Sequence, residues 1–267
     1  MNHLTTEQKI YTVLRIAVAM CFIGHGAFGI ITKPVWCNYF AVFGIGHDLA
    51  YKLMPIVGSI DILLGLVMLI YPIRAIAWWL VVWGIVTASL RPLSGEPIAE
   101  LIERAGNFGA PFVLLMLTGF KKNIFKKIVL PEHTDAKTFS RIVFSLQVIV
   151  FLLLVGHGWL NLVEKKGLIQ QYSLIGFSDP QQIAHIIGII EIAAAVAIFI
   201  KPFRIMVFAL LFWKMISELF YPHWELFEWI ERGGSYGCIF ALWIAVGVAP
   251  DWMNKIISNK KTLQQAI

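Results

Sequence analysis

Ile102-Glu103-Arg104-Ala105-Gly106-Asn107-Phe108-Gly109 returns later in the chain as Ile230-Glu231-Arg232-Gly233-Gly234-Ser235-Tyr236-Gly237. Three more stretches return with it, in the same order. Gly24-His25-Gly26 becomes Gly156-His157-Gly158, Gly58-Ser59-Ile60-Asp61 becomes Gly188-Ile189-Ile190-Glu191, and Tyr71-Pro72-Ile73-Arg74 becomes Lys201-Pro202-Phe203-Arg204. The histidine, carboxylate, proline and arginine recur at separations of 132, 130, 130 and 128 positions, so only small loop deletions distinguish the copies. A repeat of this kind sets the architecture before any single element is considered. It also separates polar residues kept in both copies from those present in one.

Hydrophobic residues make up 58% of the chain and charged residues 14%, against about 25% charged in a soluble domain. That composition belongs to a membrane protein. A spanning helix needs about 20 mostly apolar residues. The sequence predicts eight spans, over 11–31, 49–70, 74–90, 101–119, 139–163, 181–200, 203–219 and 230–249. The first has a counterpart deep in the chain, so it is read as a retained span rather than a cleaved signal. Four spans per copy make the copies parallel, related by a pseudo-twofold axis along the membrane normal. The expected organisation is a four-helix unit over 1–120, a basic linker over 121–138, a second unit over 139–250 and a tail over 251–267. Each unit is expected to be its own four-helix bundle.

Lys and Arg are concentrated on the side carrying both termini, from Lys9 and Arg15 through Lys126, Lys127 and Arg204 to Lys261. The other side has Lys33, Lys52, Arg91, Arg104, Lys165, Lys166 and Arg232 among many acids. The bias predicts cytoplasmic termini, in a bacterial cytoplasmic (inner) membrane. The formal charge of +6 therefore reflects contact with the lipid bilayer, and nothing supports nucleic-acid binding. Cys21, Cys37 and Cys238 form no CxxC and do not recur, which argues against thiol-exchange chemistry.

The candidate functional residues are those that are costly to bury. Asp61 and Glu191 fall near the middle of the second span of each copy, where a carboxylate costs about 2.5–3.5 kcal/mol on insertion scales. Gly58, Asp61 and Gly65 share a helix face, as do Gly188, Glu191 and Ala195, which predicts an inward, closely packed face. Either acid serves as an interhelical hydrogen-bonding group or as a proton-transfer or ligand group. His25 and His157 are flanked identically, and an imidazole there relays protons or ligates metal or haem. Nothing else in the sequence demands a bis-histidine haem, and no metal is specified. His185 has Pro55 as its counterpart and carries less weight.

Glu103-Arg104 and Glu231-Arg232 open the fourth span of each copy, with Asn107 and Ser235 one turn on from the acids. Such charges either favour a helix N-terminus and snorkel to headgroups, or turn inward toward a ligand. The acids Asp61 and Glu191 lie roughly 10 Å or more deeper than the arginines, so direct pairs with Arg104 and Arg232 are not expected. The sequence permits a polar track in each half: Glu103/Arg104, His25, Asp61, and Glu231/Arg232, His157, Glu191. Lys214 and Glu218 stand where the first copy has Gly84 and Ala88, at a spacing that allows mutual neutralisation.

A Gly-His-Gly first helix, a carboxylate in the second and E-R-A-G-N at Glu103–Asn107 opening the fourth resembles the DoxX/DoxD superfamily. The second copy departs to E-R-G-G-S at Glu231–Ser235. The resemblance covers nearly the whole chain as two tandem units and rests on motif order and spacing. It implies a membrane subunit of a redox system, passing electrons or protons between quinone and an outer-face redox protein. No nucleotide, haem-attachment or iron–sulfur motif accompanies it. The alternatives are a small-solute or lipid carrier with a site at the repeat interface, and a noncatalytic assembly factor. Against the carrier, the sequence shows no interrupted pair of spans.

Overall fold

The helix starts are written locally. Thr5 accepts from the Gln8 amide while the Gln8 side chain caps Thr5 in return, a reciprocal box that opens α1 (Thr6–Ile30). Asp135 accepts from the Thr138 amide to open α7 (Ala136–Leu162), and Asp179, followed by Pro180, opens α9 (Pro180–Ile200). A computed structural model describes residues 4–120, 123–129, 133–221 and 226–247. Lys121, Lys122, Pro131 and Glu132 of the linker, the loop residues 222–225 and the 251–267 tail lie outside the described residues.

The first half continues as α2 (Trp36–Ala41), α3 (His47–Ile70), α4 (Arg74–Leu93), α5 (Ala99–Glu103) and α6 (Ala105–Thr118). The second half continues from α7 as α8 (Lys166–Ile175), α9, α10 (Arg204–Ser217), a short 3-10 turn over Glu218–Phe220, α11 (Leu226–Glu231) and α12 (Gly233–Val246). Each half thus runs long helix, surface helix, long helix, a further helix, then a broken pair. Among the described residues the only β pairing is a lone bridge, Ile73 to Lys127.

Five helices are long and apolar enough to cross a membrane: α1, α3, α4, α7 and α9. The expected spans over 101–119, 203–219 and 230–249 are shorter. At 1.5 Å per residue, the 14 residues of α6, α10 or α12 reach about 21 Å, well under a hydrocarbon thickness of about 30 Å. The fourth segment of each half is interrupted at its arginine, α5 from α6 at Arg104 and α11 from α12 at Arg232. In the sequence the polar stretches Glu103–Asn107 and Glu231–Ser235 read as the openings of the fourth spans, and the structure places a break within each.

The burial pattern is that of an integral membrane protein. α3 buries Gly58, Asp61 and Gly65 and exposes Ile56, Ile60 and Leu63. Likewise α9 buries Gly188, Glu191 and Ala195 and exposes Ile189 and Ile190. Small and polar groups face in, and large apolar ones face out, which is stable only against lipid. α3 lies on α1 where Gly58 meets Gly26 and Gly29, and α9 lies on α7 where Gly188 meets Gly158. At the N-terminal end, the buried Arg74 guanidinium donates to the carbonyls of Thr118 and Gly119, satisfying the open end of α6.

The halves do not form separate four-helix bundles. α1 packs on α11 and α12, while α5 and α6 pack on α7. Gly24 of α1 leaves no room for a side chain beside the Glu231 backbone, and Gly156 of α7 leaves none beside the Glu103 backbone. Gly106 and Gly234 bring the starts of α6 and α12 together, backbone on backbone. One hydrophobic core, including Leu14, Leu114, Leu146 and Leu242, runs across both halves. All three cysteines are buried and free.

A Gly58→Val substitution is expected to destabilise the protein by at least about 1–3 kcal/mol, because α3 must move off α1. Gly46→Ser, at the N-cap of α3 with open space around it, is expected to change stability by no more than about a few tenths of a kcal/mol. Thermal denaturation in mild detergent, followed by size-exclusion chromatography, compares the two.

Candidate functional site

Both histidines reach the acids of their own halves. His25 Nδ1 lies 2.8 Å from Asp61 Oδ2, and His157 Nδ1 lies 2.6 Å from Glu191 Oε2. The glycines make this possible: Gly26 against Gly58, and Gly158 against Gly188, let the helix pairs approach closely enough for a short acid side chain to touch the ring. Asp61 and Glu191 are each 1% exposed. Each is a buried carboxylate held by an imidazole, so the pair carries one proton between the groups when it is neutral overall.

The surroundings of the two pairs differ. His25, on the open side of its pair with Asp61, lines a cavity between α1, α2 and α4. Its walls are aromatic (Phe28, Trp36, Tyr39, Phe40, Trp83), and its polar edge carries Arg104, Asn107 and Glu231. The Trp36 ring lies 4.8 Å from the His25 ring. The indole N–H of Trp83 is buried with no partner among the described residues. α2 closes the mouth: Tyr39 donates to Glu96 at 2.6 Å, and Arg91 binds Glu96 at 3.1 Å.

Around His157 the polar groups bind one another. Asn161 contacts both His157 and Glu191 and accepts from Tyr172 at 2.8 Å. Lys214 lies 2.5 Å from Glu218 and 3.8 Å from Glu191. Glu218 also accepts from Tyr236 at 2.6 Å and lies 3.9 Å from His157 Nε2. The mutual neutralisation expected of Lys214 and Glu218 is therefore present, inside a larger network.

The expected polar tracks cross between halves. Glu231 of the second half lines the His25 cavity and accepts from Asn107 at 2.7 Å. Glu103 of the first half accepts from Arg232 at 2.6 Å, and Arg232 reaches on to Glu218 at 3.5 Å. Arg104 stays with its own helix, on Glu100 at 2.7 Å and Glu103 at 3.0 Å. The i to i+4 partnership of Glu103 with Asn107 does not form, because Arg104 and Arg232 together claim that carboxylate. As expected from depth, neither arginine pairs with Asp61 or Glu191. Ser235 is buried where α12 meets Gly106 and takes no part in the cavity. The exposed His185 pairs with the exposed Glu164 at 3.2 Å, away from both histidine sites.

Two ion pairs between the halves were not anticipated. Lys33 binds Glu228, and Lys165 binds Glu100 at 2.7 Å. The signal was present: Lys33 and Lys165 recur at a separation of 132, and Glu100 and Glu228 at 128. In this cluster, Lys33, Arg91, Arg104, Lys165, Lys214 and Arg232 face Asp61, Glu96, Glu100, Glu103, Glu191, Glu218, Glu228 and Glu231. The acids outnumber these bases by two, and two of the acids, Asp61 and Glu191, have a histidine as their partner.

No family model, no curated protein and no solved structure matches the chain.

Burial would raise the Glu100 carboxyl, but Arg104 and Lys165 overcome it and hold it down at about 2. The folded value lies below the unfolded one, so the stabilisation is complete above a pH of about 4.5 and is lost as pH falls toward about 2. Stability in detergent should fall across that window by an amount on the order of 3 kcal/mol attributable to Glu100. Glu100→Gln should be less stable at neutral pH and should lose less on acidification. Thermal unfolding from pH 7 to the lowest usable pH measures both effects.

Proposed function

We propose that the chain is a DoxX-like subunit of a membrane redox system, with a single quinone site in its first half. The observation that carries this is the His25–Asp61 pair opening on an aromatic-walled cavity. A quinone is a flat ring with polar atoms at opposite edges. Trp36, Phe28 and Phe40 supply faces for the ring, His25 supplies a proton-carrying group at one edge, and Arg104 and Asn107 supply donors at another. Asp61 holds the imidazole in place through its hydrogen bond to Nδ1, so that a proton moves with the electrons through His25. Since no nucleotide, haem-attachment or iron–sulfur motif is present, the electrons belong to an outer-face redox protein.

The same proposal includes the topology: eight membrane segments as two parallel repeats, cytoplasmic termini and a bacterial inner membrane. The recurring motif order and the excess of Lys and Arg near the termini support it. The broken segments at Arg104 and Arg232 allow the membrane to be crossed by α5 with α6 and α11 with α12. Those same breaks favour a second function, a carrier. Interrupted segments in corresponding positions mark the substrate site in many transporters. The solute would be a small hydrogen-bond donor or cation, since Glu231 lines the cavity beside His25, the partner of Asp61.

Protein purified in mild detergent should retain about one quinone per chain, seen by absorbance and by mass spectrometry of the lipid extract. Asp61→Asn should weaken quinone binding about tenfold or more, the cost of a lost charge-assisted partner, while Glu191→Gln leaves it unchanged. A quinone-free protein that also fails to bind added short-chain quinone would eliminate the redox function. Uptake of a labelled organic cation into proteoliposomes would then favour the carrier.

A further inference from the structure

We infer that the second half contains the same ligand site as the first, closed by the chain's own side chains. Among the substitutions that separate the two surroundings are four that add a polar group to the His157 network. Gly29, Gly84, Ala88 and Phe108 of the first half stand where the second half has Asn161, Lys214, Glu218 and Tyr236. Every change adds a polar group, and all four groups join the network around His157. Ala88 lines the His25 cavity, whereas the side chain at its counterpart, Glu218, is bound by Lys214, Tyr236 and Arg232. The ionisable frame is retained, namely histidine, acid, arginine and an acid from the opposite half, while the wall changes at Trp36, Tyr39 and Arg91, which become Leu168, Gln171 and Tyr221.

The closing side chains also show which polar groups the frame accepts. Lys214 places a cationic donor 3.8 Å from Glu191, and Glu218 places an acceptor 3.5 Å from Arg232. By correspondence, a ligand in the open cavity presents a polar group toward the His25–Asp61 pair, through His25, and an acceptor toward Arg104, with apolar body between them. A half-reduced or fully reduced quinone ring meets that description, as does a small amino compound. The closed second site rests on the His25 cavity being a ligand site, and not on the ligand being a quinone.

The closure also has an electrostatic logic. Lys214 and Glu218 bring no net charge, so a buried polar network replaces a void without upsetting the charge balance. Removing them together leaves no unmatched charge, and Arg232 keeps Glu103 as its partner.

Cysteine accessibility tests this without any ligand, in the full-length protein. Thr87 lines the open cavity, and its counterpart Ser217 is 2% exposed. In membranes treated with a small methanethiosulfonate reagent, Thr87→Cys should react at least about tenfold faster than Ser217→Cys, since access governs the rate. Adding Lys214→Ala and Glu218→Ala should bring Ser217→Cys up to the rate of Thr87→Cys. The converse change, Ala88→Gln, should protect Thr87→Cys. Added short-chain quinone should then bind twice per chain in the Lys214→Ala, Glu218→Ala protein and fail to bind the Ala88→Gln protein. Equal labelling of the two cysteines before any further change would overturn the inference, as would continued protection of Ser217→Cys in a monodisperse double variant. If the double variant does not fold, Ala88→Gln decides alone, and unimpeded labelling of Thr87→Cys there contradicts the inference. Labelling as described with no quinone bound would leave the closed site standing and remove the quinone.

Discussion

Backbone contact at glycine is the constraint on which this structure depends. Gly24 against Glu231, Gly156 against Glu103, and Gly106 against Gly234 leave no space for a single added carbon. In lipid there is little hydrophobic gain from helix association, so close van der Waals packing and hydrogen bonds must hold the helices together. These crossings supply the packing, and they do so between halves rather than within them. Once α11 lies on α1 and α5 lies on α7, Glu231 falls at the His25 cavity and Glu103 falls between two arginines. The ion pairs Lys33–Glu228 and Lys165–Glu100 close the same seam.

Polarity in the membrane interior is distributed by the same geometry. Each buried acid has a defined partner, whether histidine, arginine, lysine or amide. The cost of burying Asp61, about 2.5–3.5 kcal/mol on insertion scales, is offset only because α1 and α3 approach closely enough for His25 to reach it. The second half uses more of these partners than the first. Its network from Glu103 through Arg232, Glu218 and Lys214 to Glu191 is continuous, whereas the first half substitutes small or apolar residues and retains open space. One half has the properties of a site and the other those of a scaffold.

Much of this was legible in the sequence. Hydropathy located the long helices, and the recurrence of Gly-His-Gly and of Asp61 with Glu191 put each histidine on one polar track with the acid of its own half, without showing that the two touch. The depth argument separated Arg104 and Arg232 from those acids correctly. What was not legible is how the halves exchange partners. Helix periodicity places Asn107 one turn from Glu103, but it carries no information that Glu231 arrives from 124 residues away. The breaks at Arg104 and Arg232 were hidden for a related reason. Charged residues and glycines also open membrane helices, so Glu103–Asn107 and Glu231–Ser235 read equally as helix starts, and only the fold shows helical residues on both sides of each arginine. The cavity was invisible too, since it is defined by side chains that the first half lacks.

Interdependence of the halves is the central claim, and separating them tests it most directly. Residues 1–129 and 130–267 would be expressed apart and together, and each preparation examined by size-exclusion chromatography in mild detergent. The crossings predict that neither half is monodisperse alone and that the two co-purify as a one-to-one complex. A first half that is stable and monodisperse by itself would contradict it.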